Sequence, residues 1–393
     1  MSITSTDADA QFARVEPLLD ELEVVTASWA FGNAGTRFNV VQHPGCPRNV
    51  WEKLDDAATV HELTGGAGSV ALIVPWDVVP DPQQLVDGLA QRNLKPGPVR
   101  TNLFQDDDYM LGTLCHPEQR VRDKAIGHIR ECVELAQAVG SDVVGIWLPD
   151  GTNYPGQDSI IERKRRLEAS LDEVHALFPQ ELTLLLEYKF FEPAFYWTDL
   201  PDWGTSLMHC QRLGDNAKVL VDMGHHAAHT NVEGVVAQLL DVGRLGGFDF
   251  NNRAYADDDL IVGSVDPFEL FLVMDELVSN WGRAREVVLA LDQNHNIEEK
   301  IPAVVRSVLN IQEAAAKAAL VDREALAVTQ AAGDVLGGHE LILDAYNTDV
   351  RPLVARWRAQ HGAPEQPLRS YRESGRREQL IAERGSAGDG GWG

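Results

Sequence analysis

The sequence predicts an α/β protein built as one (β/α)8 barrel, a TIM barrel, followed by a C-terminal helical extension. Three observations predict it. Eight short apolar, β-branched runs recur along the first three quarters of the chain. Amphipathic helical patterns separate them. Acidic or amide residues stand at the ends of the last four runs.

The eight runs are Val24–Ser28, Val70–Pro75, Val99–Phe104, Val143–Leu148, Leu182–Glu187, Lys218–Asp222, Gly247–Asn251 and Val287–Asp292. Val70-Ala71-Leu72-Ile73-Val74 is apolar throughout rather than alternating, the pattern of a strand covered on both faces in a parallel sheet. Between the runs, Arg120–Gly140, Ile160–Leu177, Trp203–Leu213 and Val232–Leu240 carry apolar residues at helical spacing, the first closing on a glycine stop. Eight successive β-then-α units close into a barrel more readily than they form an open sheet. After the eighth run the chain reads as helical from Ile301 to Arg384, with patterns at Ile311–Leu326 and Ala345–Gln360, and without strand-end polar residues. The expected organisation is a catalytic barrel over 1–300, a helical extension over 301–384 for packing or subunit contact, and a Gly-rich tail, 385–393, expected to be disordered.

Composition narrows the function. The 393 residues are 44% hydrophobic, enough for a barrel of roughly 250 residues with additions. Sixty acidic residues against 34 basic ones give a formal charge of −26. That field repels phosphate backbones and anionic lipid, so neither nucleic acid nor a membrane is an expected partner. Cys46, Cys115, Cys132 and Cys210 are scattered with no C-x-x-C pair, which argues against a disulfide framework. No apolar run reaches the roughly 20 residues needed to span a bilayer. The segment Met1–Gln11 lacks a basic-then-apolar leader pattern. A reduced, cytoplasmic setting is expected.

The strand ends carry the chemical signal, because barrels of this kind work at the C-terminal ends of their strands. The fifth run ends in Glu187, followed by Lys189. The sixth ends in Asp222, followed by His225. The seventh carries Asp249 and Asn251, then a loop with Asp257 and Asp259. The eighth ends in Asp292. A closed barrel would point these acids into one cavity, where like charges resist ionising together. A divalent cation relieves that repulsion, and oxygen donors with one or two imidazoles suit Mn, Mg or Co. Glu187, Asp222, His225 and Asp292 are the expected core of the site. Asp257-x-Asp259 is expected to present two carboxylates on one side of an extended segment. Glu187-x-Lys189 sets a cation beside an acid, able to bind a substrate hydroxyl or steady an oxyanion. Trp29, Trp76, Trp147 and Phe191 lie at or just past strand ends, where aromatic faces can pack on a sugar. Asn102 and Asp150 are candidate hydroxyl partners. The first loop, Gly32–Arg48, is long, Gly-rich and polar, as in a lid or a subunit contact.

Nine segments together resemble the bacterial L-rhamnose isomerase family: SWAFGNAGTRF from Ser28, RNVWEKLDD from Arg48, VPWD from Val74, TNLFQD from Thr101, DGTNYPGQ from Asp150, EYKFFEPAFY from Glu187, LVDMGHHAAHTN from Leu220, YADDDLIVGSVDP from Tyr255 and LDQNHN from Leu291. The resemblance covers nearly the whole chain. It implies a barrel related to xylose isomerase, a homotetramer, and two divalent metal ions per subunit, manganese before magnesium or cobalt. It also implies interconversion of L-rhamnose and L-rhamnulose, or of a related rare sugar. Carried over by motif, Glu187, Asp222 and Asp292 with the seventh-strand residue Asp249 would hold the first ion, and His225, Asp257 and Asp259 the second. Glu187 and Asp292 would also take part in catalysis. Lys189 would contact the substrate, Trp147 and Trp76 would pack on it, and Phe38 would reach a neighbouring subunit's site.

Two positions depart from the family pattern. Asp249-Phe250-Asn251 stands where the family has H-F-N, and Ile73-Val74-Pro75-Trp76-Asp77 where it has H-I-P-W-D. The first adds negative charge and hardens the site toward oxygen-preferring metals. The second removes a polar group from the cavity. Aldose–ketose isomerisation is the leading expectation. The rivals are an epimerase or lyase acting on a keto-sugar or C-glycoside, and a non-catalytic sugar-binding barrel.

Overall fold

The structure, a computed structural model, describes residues 5–36 and 38–385. Eight strands close a barrel: β1 Val25–Ala27, β2 Ser69–Val74, β3 Lys95–Thr101, β4 Val143–Trp147, β5 Thr183–Glu187, β6 Ala217–Asp222, β7 Leu245–Phe250 and β8 Val288–Leu291. Every pair is parallel. Each strand bonds the next, and Val25 opposite Ala290 joins β1 to β8. All eight expected runs are therefore strands. Their burial is nearly continuous, as the apolar runs require: β2 and β7 are buried at every position. The largest boundary difference is at β3, which begins at Lys95 rather than Val99. Its opening Lys95-Pro96-Gly97-Pro98 has turn-like composition, yet it pairs with β2.

A helix follows each strand. These are α2 Val50–Thr64, α3 Gln83–Ala90, α4 Gln119–Val139, α5 Ile160–His175, α6 Trp203–Leu213, α7 Val232–Asp241 and α8 Pro267–Ser279, with the short α9 Trp281–Ala284 before β8 and α10 Lys300–Ala319 after it. α10 packs against α8 and α2 and completes the ring; it lies within the stretch assigned from the sequence to the extension. α1, Ser5–Glu21, precedes the barrel and has no counterpart in the sequence reading. Beyond α10 run α11 Arg323–Ala332, α12 Val335–Asn347, α13 Arg351–Gln360, α14 Pro367–Glu373 and α15 Arg376–Arg384. The pattern over Ile311–Leu326 spans the end of α10 and the start of α11, and Ala345–Gln360 spans α12 and α13. Each break has a chemical cause. The Asp322 carboxylate accepts the Ala325 N–H at 3.0 Å and caps α11. Asp349 accepts the Arg351 N–H at 3.2 Å, and Pro352 sits in the first turn of α13, where its missing N–H costs nothing. The expected disordered tail lies outside the described residues except for Gly385. No helix among the described residues is long and apolar enough to cross a membrane.

Val143, Leu185 and Leu220, with Val288 against them, form a small buried apolar cluster of strand residues, separate from the larger core. The extension is fastened to the barrel by a buried ion pair: the two Nη atoms of Arg384 each meet an oxygen of Asp56 on α2 at 2.8 Å, with both side chains almost fully buried. Removing one member of such a pair leaves the other charge buried alone. Arg384→Ala should therefore destabilise the fold by about 3–5 kcal/mol. A urea unfolding curve reads this directly. An unchanged midpoint would show that the extension contributes nothing to barrel stability.

Candidate metal centre

The last four strands deliver the acids to one cavity. Glu187 ends β5 and Asp222 ends β6. Asp249 is the penultimate residue of β7, and Asp292 directly follows β8. One ligand atom from each of Glu187, Asp222, Asp249 and Asp292 lies within 4.8 Å of the others, and so does one from each of Glu187, Asp222 and His225. The expected core is thus assembled. His225 follows the tight Asp222–Gly224 turn, in which the Gly224 N–H donates to Asp222 Oδ1 at 2.6 Å. The glycine is needed there, since a Cβ would lie 2.5 Å from Asp257 Oδ1. The His225 ring is placed so that Nδ1–H donates to the Tyr188 carbonyl at 2.9 Å. That leaves Nε2 facing Asp257 Oδ2 at 3.4 Å, the arrangement that fixes a ligand tautomer. Glu187 Oε1 is 3.2 Å from His225 Nδ1.

The loop after β7 reaches the cavity by a different route from the one expected. It is not extended. Asp258 folds it by accepting the N–H groups of Ala254, Tyr255 and Ala256, at 2.7, 3.0 and 3.2 Å. Asp259 takes a left-handed conformation, φ 48°, which aspartate tolerates better than most residues. Asp257 and Asp259 still both arrive. Asp257 accepts from Lys189 Nζ at 2.7 Å, and Asp259 accepts from Asn294 at 3.0 Å. Lys189 consequently pairs with Asp257, not with the Glu187 expected from their spacing. Its Nζ also lies 5.2 Å from the centre of the Trp147 ring, a cation–π contact.

The aromatic expectations divide. Trp76, Phe104, Trp147 and His225 form a continuous run of rings, with successive centroids 6.1, 5.4 and 6.4 Å apart. Trp29 has another task, donating its indole N–H to Asp292 Oδ1 at 2.8 Å. Phe191 packs in a surface group with Phe190 and Phe195. Asp150 is not a hydroxyl partner: its oxygens are taken by the N–H groups of Thr113 and Cys115 and the Thr113 hydroxyl, within a buried loop. Asn102 is engaged in its own turn, donating to Gln105 and accepting from the Phe104 N–H. Phe38 is 81% exposed on the hairpin formed by Ala34–Thr36 and Asn39–Val41 in the first loop. That loop is tied down by His43, whose Nε2 is 2.7 Å from the Asn296 carbonyl oxygen.

In the sequence Asn251 stands at a strand end without an assigned role, and Arg100 is not singled out at all. Asn251 donates to both Asp222 oxygens, at 2.9 and 3.1 Å. Arg100, on β3, points into the barrel. Its Nη2 contacts both Asp249 oxygens at 2.7 and 2.8 Å, and its Nη1 lies 3.5 Å from Glu187. The available signal was a long cation between Val99 and Thr101 in a buried stretch of strand.

The electrostatics follow from this crowding. Burial, reinforced by neighbouring carboxylates, pushes Asp222 up to about 7 and Asp292 up to about 6, and holds Glu187 and Asp259 well above the usual range. Burial opposes charge on His225, but Asp222, Asp257 and Glu187 outweigh it and raise the imidazole to about 10. Asp257 moves the other way: burial raises it, but His225 and Lys189 together pull it well below the ordinary value. The donor set is oxygen with one imidazole, and Asp257 Oδ1 is buried with no protein partner. These features fit a divalent cation of the Mn, Mg or Co type.

The family model described as "Xylose isomerase-like TIM barrel" matches residues 66–281. The chain belongs to the xylose isomerase-like TIM barrel family. The matched span holds every strand from β2 to β7. A probable sugar isomerase of Rhizobium meliloti (strain 1021) is 40% identical over 378 residues, covering 94% of this chain and 88% of that protein. Another, of Mesorhizobium japonicum (strain LMG 29417 / CECT 9101 / MAFF 303099), is 37% identical over 384 residues, covering 96% and 88%. Among solved structures, an L-ribulose 3-epimerase superposes with a TM-score of 0.58 at 15% identity, over 77% of this chain and 98% of that one. A D-allulose 3-epimerase from Methylomonas sp. does so with 0.56 at 15%, over 75% and 98%. At such identities the structures bear on the fold alone.

A pH dependence follows. In metal-free protein the folded-state values of Asp222 and Asp292 lie above the ordinary unfolded value near 3.9. The folded state then holds protons that the unfolded state has released, so stability falls as pH rises from about 4 through 7. Saturating Mn2+ should remove that slope and raise the melting temperature, by about 2.7 kcal/mol of stabilisation at a hundredfold excess over Kd. Thermal melts with and without chelator across this range test it. Identical curves would mean that no cation binds among these carboxylates.

Proposed function

We propose that this protein is a divalent-metal-dependent aldose–ketose isomerase acting on a free sugar, L-rhamnose to L-rhamnulose or a related rare sugar, with manganese as the metal. The observation that carries the reading is the linked set Glu187–His225–Asp257–Lys189 beneath the Trp147 ring. It joins a cation-ligand set, a fixed ammonium and an aromatic wall in one cavity. The probable sugar isomerases that match nearly the whole chain support it. The acidic cavity favours a neutral sugar over a phosphorylated one.

Glu187, Asp222, His225 and Asp257 are the residues that would hold the cation. When bound, it supplies polarisation of the substrate carbonyl and acidification of a neighbouring hydroxyl or water. Trp76, Phe104 and Trp147 receive the C–H face of the sugar and exclude water from it. Lys189 Nζ, kept charged by Asp257, donates a hydrogen bond to a substrate oxygen that gains negative character. Asp292 has Oδ1 held by Trp29, leaving Oδ2 free to carry a proton. At about 6 its carboxyl lies close enough to neutrality to relay that proton between C1 and C2. The exposed Phe38 is proposed to project from one subunit of a homotetramer into a neighbour's site.

A second reading, epimerisation of a ketose, is favoured by Ile73, which places a buried apolar side chain where an imidazole would steer a hydroxyl. The test is an assay of metal-stripped protein on L-rhamnose, L-lyxose and L-mannose, with Mn2+, Mg2+ or Co2+ restored. Metal-dependent ketose is expected. Glu187→Gln should abolish the activity, and Lys189→Met should lower kcat by about 100- to 1000-fold. No ketose from any of the three sugars, with metal bound, sinks isomerisation, and epimerisation of a ketose supplied in a parallel assay would establish the second reading. Light scattering on the purified protein tests the tetramer.

A further inference from the structure

The resemblance implies two divalent ions per subunit, but the cavity already holds a cation of its own. Arg100 is buried, 6% exposed, and its guanidinium lies against two of the four carboxylates that would surround the first ion. One nitrogen, Nη2, reaches both oxygens of Asp249, and Nη1 approaches Glu187. Asp249 is the position where the family pattern has a neutral imidazole. The barrel is shaped around this arginine. In register with it on β4 stands Gly145, where a Cβ would lie 2.7 Å from both Cδ and Nη1 of Arg100. Its register neighbour on β2 is the apolar Ile73, which offers no hydrogen bond to the guanidinium. Asp249 is thereby committed to a fixed monovalent partner that cannot lose its charge.

We propose that Arg100 takes the place of the first divalent ion, so that each subunit binds one ion, through Glu187, Asp222, His225 and Asp257. A divalent cation bound to Asp249 would lie directly beside the buried guanidinium, and the two repel each other strongly in a low-dielectric interior. Glu187 and Asp222 lie within 4.8 Å of Asp249, but Glu187 turns only Oε2 to Arg100, while its Oε1 faces His225 on the other side of the carboxylate. There the unpartnered Asp257 Oδ1 and the Nε2 of His225 are available. Asp292 is left to its bond from Trp29, in keeping with a proton-carrying role.

This inference rests on the metal-dependent reading above, and one experiment separates the two. Metal-stripped full-length protein is titrated with Mn2+ by calorimetry, and bound manganese is counted by elemental analysis and read by electron paramagnetic resonance. One equivalent per subunit, with a mononuclear spectrum, is expected. Arg100→Asn should admit a second equivalent and produce a coupled two-manganese signal. Asp249→Asn should leave the single equivalent bound within threefold of its original affinity, whereas loss of a ligand would weaken it more than tenfold. Two equivalents in the unaltered protein, with one lost in Asp249→Asn, overturns the assignment of Arg100 while preserving metal dependence. Zero equivalents overturns both. Because the unaltered protein alone gives the deciding count, misfolding of either variant leaves the test intact.

Discussion

Mutual repulsion among carboxylates is the constraint on which the organisation of this barrel depends. A closed parallel sheet sends the ends of all its strands to one rim, and here the last four strands carry an acid at or next to that end. Glu187, Asp222, Asp249 and Asp292 converge within a few ångströms, with Asp257 and Asp259 brought in by the β7 loop. Each neighbouring feature answers that density. Arg100 and Lys189 supply fixed positive charge, His225 is driven toward protonation, and Trp29, Asn251 and Asn294 donate hydrogen bonds. What these groups leave uncompensated is what would drive binding of a cation in the proposed centre.

The same division explains what could be read from the chain. Strands buried on both faces must be apolar throughout, so all eight were visible as runs. Strand-end acids were visible because they interrupt those runs at a fixed place. The misjudged elements obey local rules that hydrophobic pattern does not report. The breaks between α10 and α11 and between α12 and α13 depend on single caps, Asp322 and Asp349. β3 begins in Pro-Gly-Pro, which resembles a turn until a neighbouring strand is present to pair with it. The partners of Lys189 and Trp29 depend on contacts across the barrel, which spacing along one strand does not encode. Arg100 was overlooked because charge in the middle of a strand makes sense only once the opposing Asp249 is known.

Sharing a barrel with 3-epimerases while matching sugar isomerases along nearly the full chain is no contradiction. Folds of this kind carry many reactions, and the residues at the rim select among them. On the proposed reading, discrimination between moving a hydrogen from C1 to C2 and inverting a carbon further along would fall to a few side chains: Lys189, Asp292, Ile73 and the aromatic run from Trp76 to Trp147.

The extension also bears on how the chain reaches this state. Its helices do not stand apart from the start of the protein. Arg356 on α13 meets Asp9 at 2.6 Å, Trp357 meets Asp20 at 2.8 Å, and Arg384 on the last helix meets Asp56. Each of these pairs joins residues more than three hundred positions apart. On the ribosome, α1 and α2 emerge first and must wait for nearly the whole sequence to be translated before their partners exist. Asp56, in particular, has no arginine partner until Arg384 has left the exit tunnel. These contacts are thus the last of the fold to become available, after all eight strands of the barrel have been made.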